Sequence, residues 1–393
     1  MVNKMGGSTL SNPALIKGSP FMKQLPGRPN KILLMKLFKF DVLNQNPLGM
    51  VLSNVKYSEH WFLIIPFLAG MHEVSVEQVV ELLKEFTQQP PSADAVLEKL
   101  KPLDVEQIEV AVDEYLYQSL KQHPRFRGKM KQKKTLLAID LHDEPYYGES
   151  QSEYIITGKR KEGTNRFFRF ATAYICEDGY RYNLGVKMVK KGDKVAEIAL
   201  KMIEQAQRLV KIGLVVLDGG FYDTNLVKEL DRRGIRFLIR GSMNEPAKRL
   251  VRENNLQSLK EGEGKFFKHT MRCDEPGRRC EHEVRLLICR RYGELTVLAT
   301  NRGSRREVEE MIAVFNSRFG IESSYRDGRR FRCRTTSNRD NFRAAMFFVG
   351  IILQNFLTLF LSASSSEGRT PPDAHRMIHI LVLRTVLCFY PPI

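Results

Sequence analysis

Cysteine and tryptophan are scarce in this chain: six cysteines and one tryptophan in 393 residues. Cys176, Cys273, Cys280, Cys289, Cys333 and Cys388 are scattered, without the density of a secreted disulfide scaffold, so a reducing cytoplasm is the expected compartment. Cys273, Cys280, His282 and Cys289 form a C-x₆-C-x-H-x₆-C spacing that matches no common zinc-ligand pattern. The N-terminus has basic residues but no continuous apolar segment ending in a small-residue cleavage site, which argues against a secretory signal. Internal repeats and long low-complexity tracts are also missing, which removes solenoids and repeat arrays from consideration. Acidic residues are outnumbered, 45 Asp+Glu against 62 Lys+Arg, and the formal charge of +17 favours a polyanionic partner whose condensed counterions are released on binding.

What is present suffices for a folded protein of two or three domains: 42% of residues are hydrophobic and 27% charged. Residues 1–30 are rich in Gly, Pro, Ser, Asn and Lys and read as a flexible basic arm. Residues 31–130 read as a small, mainly helical domain. Its helical spacings are Val76, Val79, Val80, Leu83; Ala95, Val96, Leu100; and Val105, Ile108, Val112, Leu116. Such a domain could bind DNA ends, although Glu77, Glu81, Glu85, Glu106, Glu109 and Glu114 are unlike a basic recognition helix, and packing or dimerisation is the other reading.

From 131 to 345 the pattern is mixed. Leu136-Leu137-Ala138-Ile139 reads as a buried strand ending at Asp140, and Ile212 to Leu217 as a second one ending at Asp218. Between them lie strands near 167–175 and 182–189 and a helix over 194–211; a helix over 224–233 and a strand over 236–239 follow. The order β-β-β-α-β-α-β implies an α/β fold of the RNase-H-like kind, with chemistry at the carboxyl ends of its strands. Three strand-like runs, Lys265 to Arg272, Glu283 to Arg291 and Glu294 to Thr300, make a β-rich insertion over about 241–303. Residues 346–393 form a C-terminal apolar helix and tail; the apolar stretch Ala344 to Ala363 carries Gln354 and Asn355 in its middle, which favours a buried helix over a membrane span.

Two carboxylates at neighbouring strand ends raise each other's pKa unless a cation joins them. A lone strand-end Asp is weak evidence, and Asp143, three residues on, rivals Asp140; the apolar run ends at 140, which favours Asp140. A third carboxylate strengthens the case. Phe315, Arg318, Glu322 and Arg329 are spaced by three, four and seven, which puts them on one helical face. Asp327 is the next candidate should Glu322 not be the ligand. Arg326, Arg329, Arg330, Arg332, Arg334 and Arg339 make the densest basic stretch, suited to phosphate.

With these residues in view, the chain resembles the DDE transposases of prokaryotic insertion sequences, in particular the insertion-sequence-four family. That family's third catalytic block reads Tyr-x₂-Arg-x₃-Glu-x₆-Lys. Here the block is Phe315-x₂-Arg318-x₃-Glu322-x₆-Arg329, with Asp140 and Asp218 standing for the first two blocks. The resemblance covers roughly residues 135–345 and implies Asp140, Asp218 and Glu322 as catalytic metal ligands. They would hold two Mg²⁺ ions, with Mn²⁺ able to substitute, for cleavage at terminal inverted repeats and strand transfer of the 3′-OH into target DNA. It further implies double-stranded DNA as partner, a homo-oligomer on DNA, a prokaryotic nucleoid-associated location and no membrane. Arg318, Arg326, Arg329, Arg330, Arg332 and Arg334 would position DNA. In some relatives a tryptophan of the insertion stacks on a flipped base; Trp61 lies far upstream here, leaving Phe266, Phe267 or Tyr292 as substitutes. Rival readings are a catalytically silent, DNA-binding descendant and a membrane-associated basic protein. The intact triad argues against the first, Gln354 and Asn355 against the second.

Overall fold

The computed structural model describes residues 45–52, 57–86, 90–123, 126, 133–149, 151–177, 179–275, 278–317 and 331–364. Among these the helices are α1 (Glu59–His72), α2 (Val76–Phe86), α3 (Ala93–Glu98), α4 (Val105–Gln122), α5 (Val195–Gln207), α6 (Thr224–Arg232), α7 (Glu245–Glu253), α8 (Val308–Ser317) and α9 (Asp340–Ser364). The strands are β1 (Lys134–Pro145), β2 (Ile155–Lys161), β3 (Thr164–Glu177), β4 (Tyr180–Met188), β5 (Lys211–Leu217), β6 (Phe237–Arg240), β7 (Gly264–Glu275), β8 (Arg278–Arg291) and β9 (Glu294–Thr300).

All nine strands join one mixed sheet in the order β2-β3-β1-β5-β6-β9-β8-β7, with β4 also paired to β3. Its centre is the RNase-H-like arrangement: β4, β3 and β1 run antiparallel, and β1, β5 and β6 run parallel. The valine- and leucine-rich β5 is buried over its second half, as a strand covered on both faces must be. The insertion does not stand apart. Strand β9 pairs antiparallel with β6, and β8 and β7 follow, so the insertion continues the same sheet.

Strand β1 runs past the expected end at Asp140, to Pro145. Its two neighbours differ in length: β5 stops opposite Ile139, while β3 stays paired through Pro145. Asp140 therefore marks the point where β1 loses one partner and keeps the other.

The apolar stretch around 344–363 lies in α9, which packs against α1, α4 and β4. Within Asp340–Ser362, the segment long and apolar enough to cross a membrane, 78% of the most apolar window is buried inside the fold. Its polar centre is used internally, since Asn355 Oδ1 accepts a hydrogen bond from the Asn183 backbone N at 3.0 Å. At Gly70, α1 touches its neighbours so closely that a Cβ would stand 2.8 Å from Val349 Cγ1 of α9 and 2.9 Å from the Phe331 carbonyl.

Candidate active site

The parallel register pairs Leu137 with Val215, Ala138 with Val216 and Ile139 with Leu217. The next positions along the two chains are Asp140 and Asp218. Neighbouring strands lie about 4.8 Å apart, so the two carboxylates start from adjacent points at the carboxyl edge. Alternation puts residues 136, 138 and 140 of β1 on the same face as 214 and 216 of β5, and Asp218 is the first residue past β5.

That face also receives α8. Val308, Met311, Ile312 and Phe315 pack with Val216, Leu238, Leu287 and Leu298, and with the partly buried Leu136 and Leu214. Strand β9 ends at Thr300, opposite Leu238 near the start of β6, so α8 carries the chain from the amino end of the parallel strands back toward the carboxyl end. Arg318, Glu322, Arg326, Asp327, Arg329 and Arg330 lie outside the described residues. Phe315 is fully buried, with the Arg291 guanidinium 4.9 Å from its ring centroid, so this position anchors α8 to the sheet.

Asp140 is 5% exposed, and the Leu141 backbone N donates to its Oδ1 at 3.1 Å. Asp218 is half-buried and opens a single 3₁₀ turn, Gly219–Phe221. The turn passes under β1: a Cβ on Gly220 would lie 2.6 Å from Leu141 Cδ1, so any side chain there would push on the residue beside Asp140. Gly220 thus leaves the room that the Leu141 side chain occupies over the turn.

Asp143 is engaged elsewhere. Arg169 of β3 donates to it from two nitrogens, at 2.7 and 3.1 Å, and this bidentate pair raises the Arg169 pKa. His142 and Glu144 share Asp140's face instead. His142 Nε2 lies 2.7 Å from Glu144 Oε1, and Arg332 pairs with the other Glu144 oxygen. Of the basic stretch, Arg332, Arg334 and Arg339 are described and all three are exposed. Alternation along Asp140-Leu141-His142-Asp143-Glu144 is the signal that would have exposed His142 and Glu144 as site residues, and it becomes readable only once the strand is known to continue past 140.

Among the three aromatics of the insertion, Phe266 and Phe267 are half-buried against the core, whereas Tyr292 is 63% exposed. Tyr292 sits at the β8–β9 turn with φ of 52°, and Glu261 accepts from its backbone N at 2.6 Å and from that of Gly293 at 3.1 Å. Nearby Cys289 is buried, and burial pushes its thiol up to about 12, while His282 faces Asp231 at 3.3 Å. Among the described residues no group of three His, Cys, Asp or Glu side chains converges as a metal site. The donor chemistry of the Asp140–Asp218 pair still fits a hard cation: two oxygen ligands in strand register, with helix α8 directed to the same edge.

A mixed sheet in the order β4-β3-β1-β5-β6, with Asp140 and Asp218 following adjacent strands at its carboxyl edge, is an RNase-H-like arrangement. Residues 131–355, more than half of the chain, match the transposase DDE domain family, and the chain belongs to that family. Its members use divalent metal ions for their chemistry. In fold the chain is similar to a solved piggyBac transposase, determined by cryo-EM as a synaptic complex with hairpin DNA. The TM-score is 0.56 at 12% identity, over 92% of this chain and 80% of that one. No curated protein matches the chain by sequence.

Proposed function

We propose that the chain is the transposase of a prokaryotic insertion sequence of the insertion-sequence-four type, which cleaves double-stranded DNA at its element's terminal inverted repeats and joins the freed 3′-OH to target DNA. The observation that carries this reading is the β1–β5 register, whose last pair, Ile139 and Leu217, stands immediately before Asp140 and Asp218 on the sheet face that α8 covers. In this reading Glu322, five residues beyond Ser317, completes a site for two Mg²⁺ ions, for which Mn²⁺ substitutes. When bound, the ions polarise the scissile phosphate and stabilise the attacking and leaving oxygens. Arg318, four residues before Glu322 in the sequence, orients that carboxylate or holds the scissile-strand phosphate. Arg326, Arg329, Arg330, Arg332 and Arg334 follow the DNA backbone, and the exposed Tyr292 ring offers a stacking surface on the β8–β9 side. The similar piggyBac structure is a synaptic complex with hairpin DNA, which supports DNA as partner and a homo-oligomer that pairs two ends.

The test is a cleavage assay on DNA carrying the sequences that flank the gene. Replacing Asp140, Asp218 or Glu322 singly with Ala is expected to abolish cutting and leave end binding largely intact; Mg²⁺-dependent cutting by Glu322→Ala would shift the third ligand to Asp327. Replacing Arg330, Arg332 and Arg334 together is expected to flatten the salt dependence of binding, by about 0.9 in the slope of log K against log salt for each phosphate no longer neutralised. An unchanged slope would show that these arginines are only solvated.

A further inference from the structure

Near its tip the β7–β8 hairpin carries two cysteines that strand register, rather than spacing in the chain, brings together. Cys273 of β7 stands opposite Cys280 of β8, and the next pair on the same face is Met271 opposite His282. Cys280 and His282, alternate residues of one strand, therefore share a face with Cys273 on the neighbouring strand. Met271 and Val284 are buried on that face, in the cluster that also holds Leu226, Val227 and Leu230, so it is the face that α6 covers. Cys289 belongs to the other face, packed with Leu287 and Phe315. The last member of the C-x₆-C-x-H-x₆-C spacing is thus on the wrong side of the sheet.

Helix α6 supplies a different fourth group. Asp231, near its C-terminal end, sets Oδ2 3.3 Å from His282 Nε2. That nitrogen is buried and makes no hydrogen bond among the described residues. Charge-assisted hydrogen bonds are shorter, about 2.7–2.9 Å. Two ligands each about 2.0–2.1 Å from one tetrahedral ion, by contrast, stand about 3.3 Å apart. Asp231 Oδ1 accepts from Asn301 Nδ2 at 3.1 Å, which fixes the carboxylate as an outer hydrogen bond fixes a metal ligand.

The ladder favours a shared ion over a disulfide. Arg290 N donates to the Glu263 carbonyl at 3.0 Å, and every second pair from there is a hydrogen-bonded one, Cys273–Cys280 included. Such pairs lie toward the wide end of the cross-strand Cβ spacing of about 4.5–5.5 Å. A disulfide requires about 3.5–4.5 Å, whereas two thiolates, each about 2.3 Å from one zinc, accommodate the wider spacing.

We propose that Cys273, Cys280, His282 and Asp231 bind one Zn²⁺ in tetrahedral coordination, fastening the hairpin tip to α6. Thiolates with an imidazole select zinc over the hard cations that suit Asp140 and Asp218. On binding, both thiol protons leave to solvent. Thr224 Oγ1 donates to the Arg272 carbonyl at 3.3 Å, so the end of α6 that follows the Asp218 turn is already tied to this hairpin. Zinc adds a tie at the helix's other end. The site is independent of the DNA-cleaving reading.

The test purifies the full chain without added metal and counts its zinc by elemental mass spectrometry. About one zinc per chain is expected in wild type and in Asp140→Asn, and about a tenth of that or less in the Cys273→Ser, Cys280→Ser double variant. Asp231→Asn is expected to weaken zinc at least about ten-fold in chelator competition. Alkylation of the wild-type chain gives a readout that needs no variant to fold. Cys273 and Cys280 should resist the reagent until a chelator is added and then react at least about ten-fold faster, while the buried Cys289 and Cys333 stay unreactive. Wild type holding no more zinc than the double variant, or an alkylation rate that the chelator leaves unchanged, would overturn the site. Loss of the zinc in Asp140→Asn would do so too, by placing the ion at the aspartate pair.

Discussion

Asp140 and Asp143 are the same residue type three positions apart in one strand, and alternation sends them to opposite faces. Asp140 comes to the edge beside Asp218, whereas Asp143 is clamped by Arg169, the residue opposite it on β3. Their substitutions should separate cleanly. Asp140→Asn is expected to lose cleavage with an unchanged denaturation midpoint. Asp143→Asn removes the charge that Arg169 holds through two hydrogen bonds, at a cost of about 1.5–3 kcal/mol in stability, with cleavage by the folded protein retained. Chemical denaturation and single-turnover cleavage of both variants check this. Loss of cutting by a stable Asp143→Asn would make Asp143 the ligand.

At the scale of elements, α4 shows where the acidity of the N-terminal helices goes. Strand β4 turns backbone N–H groups away from β3, and α4 supplies carboxylates for them. Glu109 Oε1 accepts from the Met188 N at 2.6 Å and Asp113 Oδ1 from the Val186 N at 2.9 Å, four residues apart on one helical face. Gln205 donates to the second Asp113 oxygen at 2.9 Å, and Lys187 approaches Glu109 at 3.5 Å. Burial nevertheless dominates, pushing Glu109 up to about 7 and Asp113 up to about 6. A carboxyl whose folded pKa is raised binds more protons in the folded state than in the unfolded one, so the stability these two groups contribute is fully present below about pH 4 and is lost as pH rises to about 7. Glu109→Gln keeps the acceptor for Met188 N and removes the buried charge. Stability at pH 8 is expected to rise, on the order of 3 kcal/mol at most, and the decline between pH 5 and 8 to shrink. An equally steep decline in the variant, measured by denaturation at each pH, would rule this out. The elements themselves were legible in the sequence in proportion to their periodicity. The three insertion strands and the helices from Val76 to Gln122 follow their apolar spacing closely. Helix α1 escaped because Trp61 to Met71 is buried on every side and shows no polar face, with Pro66 inside it. Strand β2 escaped because only its first residue is buried and the rest is exposed or half-exposed.

For the molecule as a whole, the sequence suggests a boundary near residue 131, where the family match also starts, while the packing runs across it. One hydrophobic cluster reaches from Leu48 and Trp61 through Val112 and Leu116 of α4 to the sheet and on to Phe360 of α9. Polar ties follow the same seam. Asn341 donates to the carbonyls of Leu100 and Leu103 at 3.0 and 2.9 Å, and His123 meets the Leu359 carbonyl at 3.1 Å. Helix α9, buried over most of its length, therefore owes much of its cover to α1 and α4, which a chain starting at 131 would lack. Such a fragment would expose a long apolar helix and the outward N–H groups of β4, which α4 otherwise satisfies. Residues 131–393 expressed alone are accordingly expected to aggregate or to bind a hydrophobic dye without a cooperative thermal transition, whereas the full chain melts cooperatively. Adding residues 45–130 as a separate polypeptide should restore the transition, because the two parts are held by packing and hydrogen bonds that do not require a covalent link. A fragment 131–393 that melts cooperatively and cuts DNA unaided would show that the helices at 59–122 are an accessory module, and would return the boundary to residue 131.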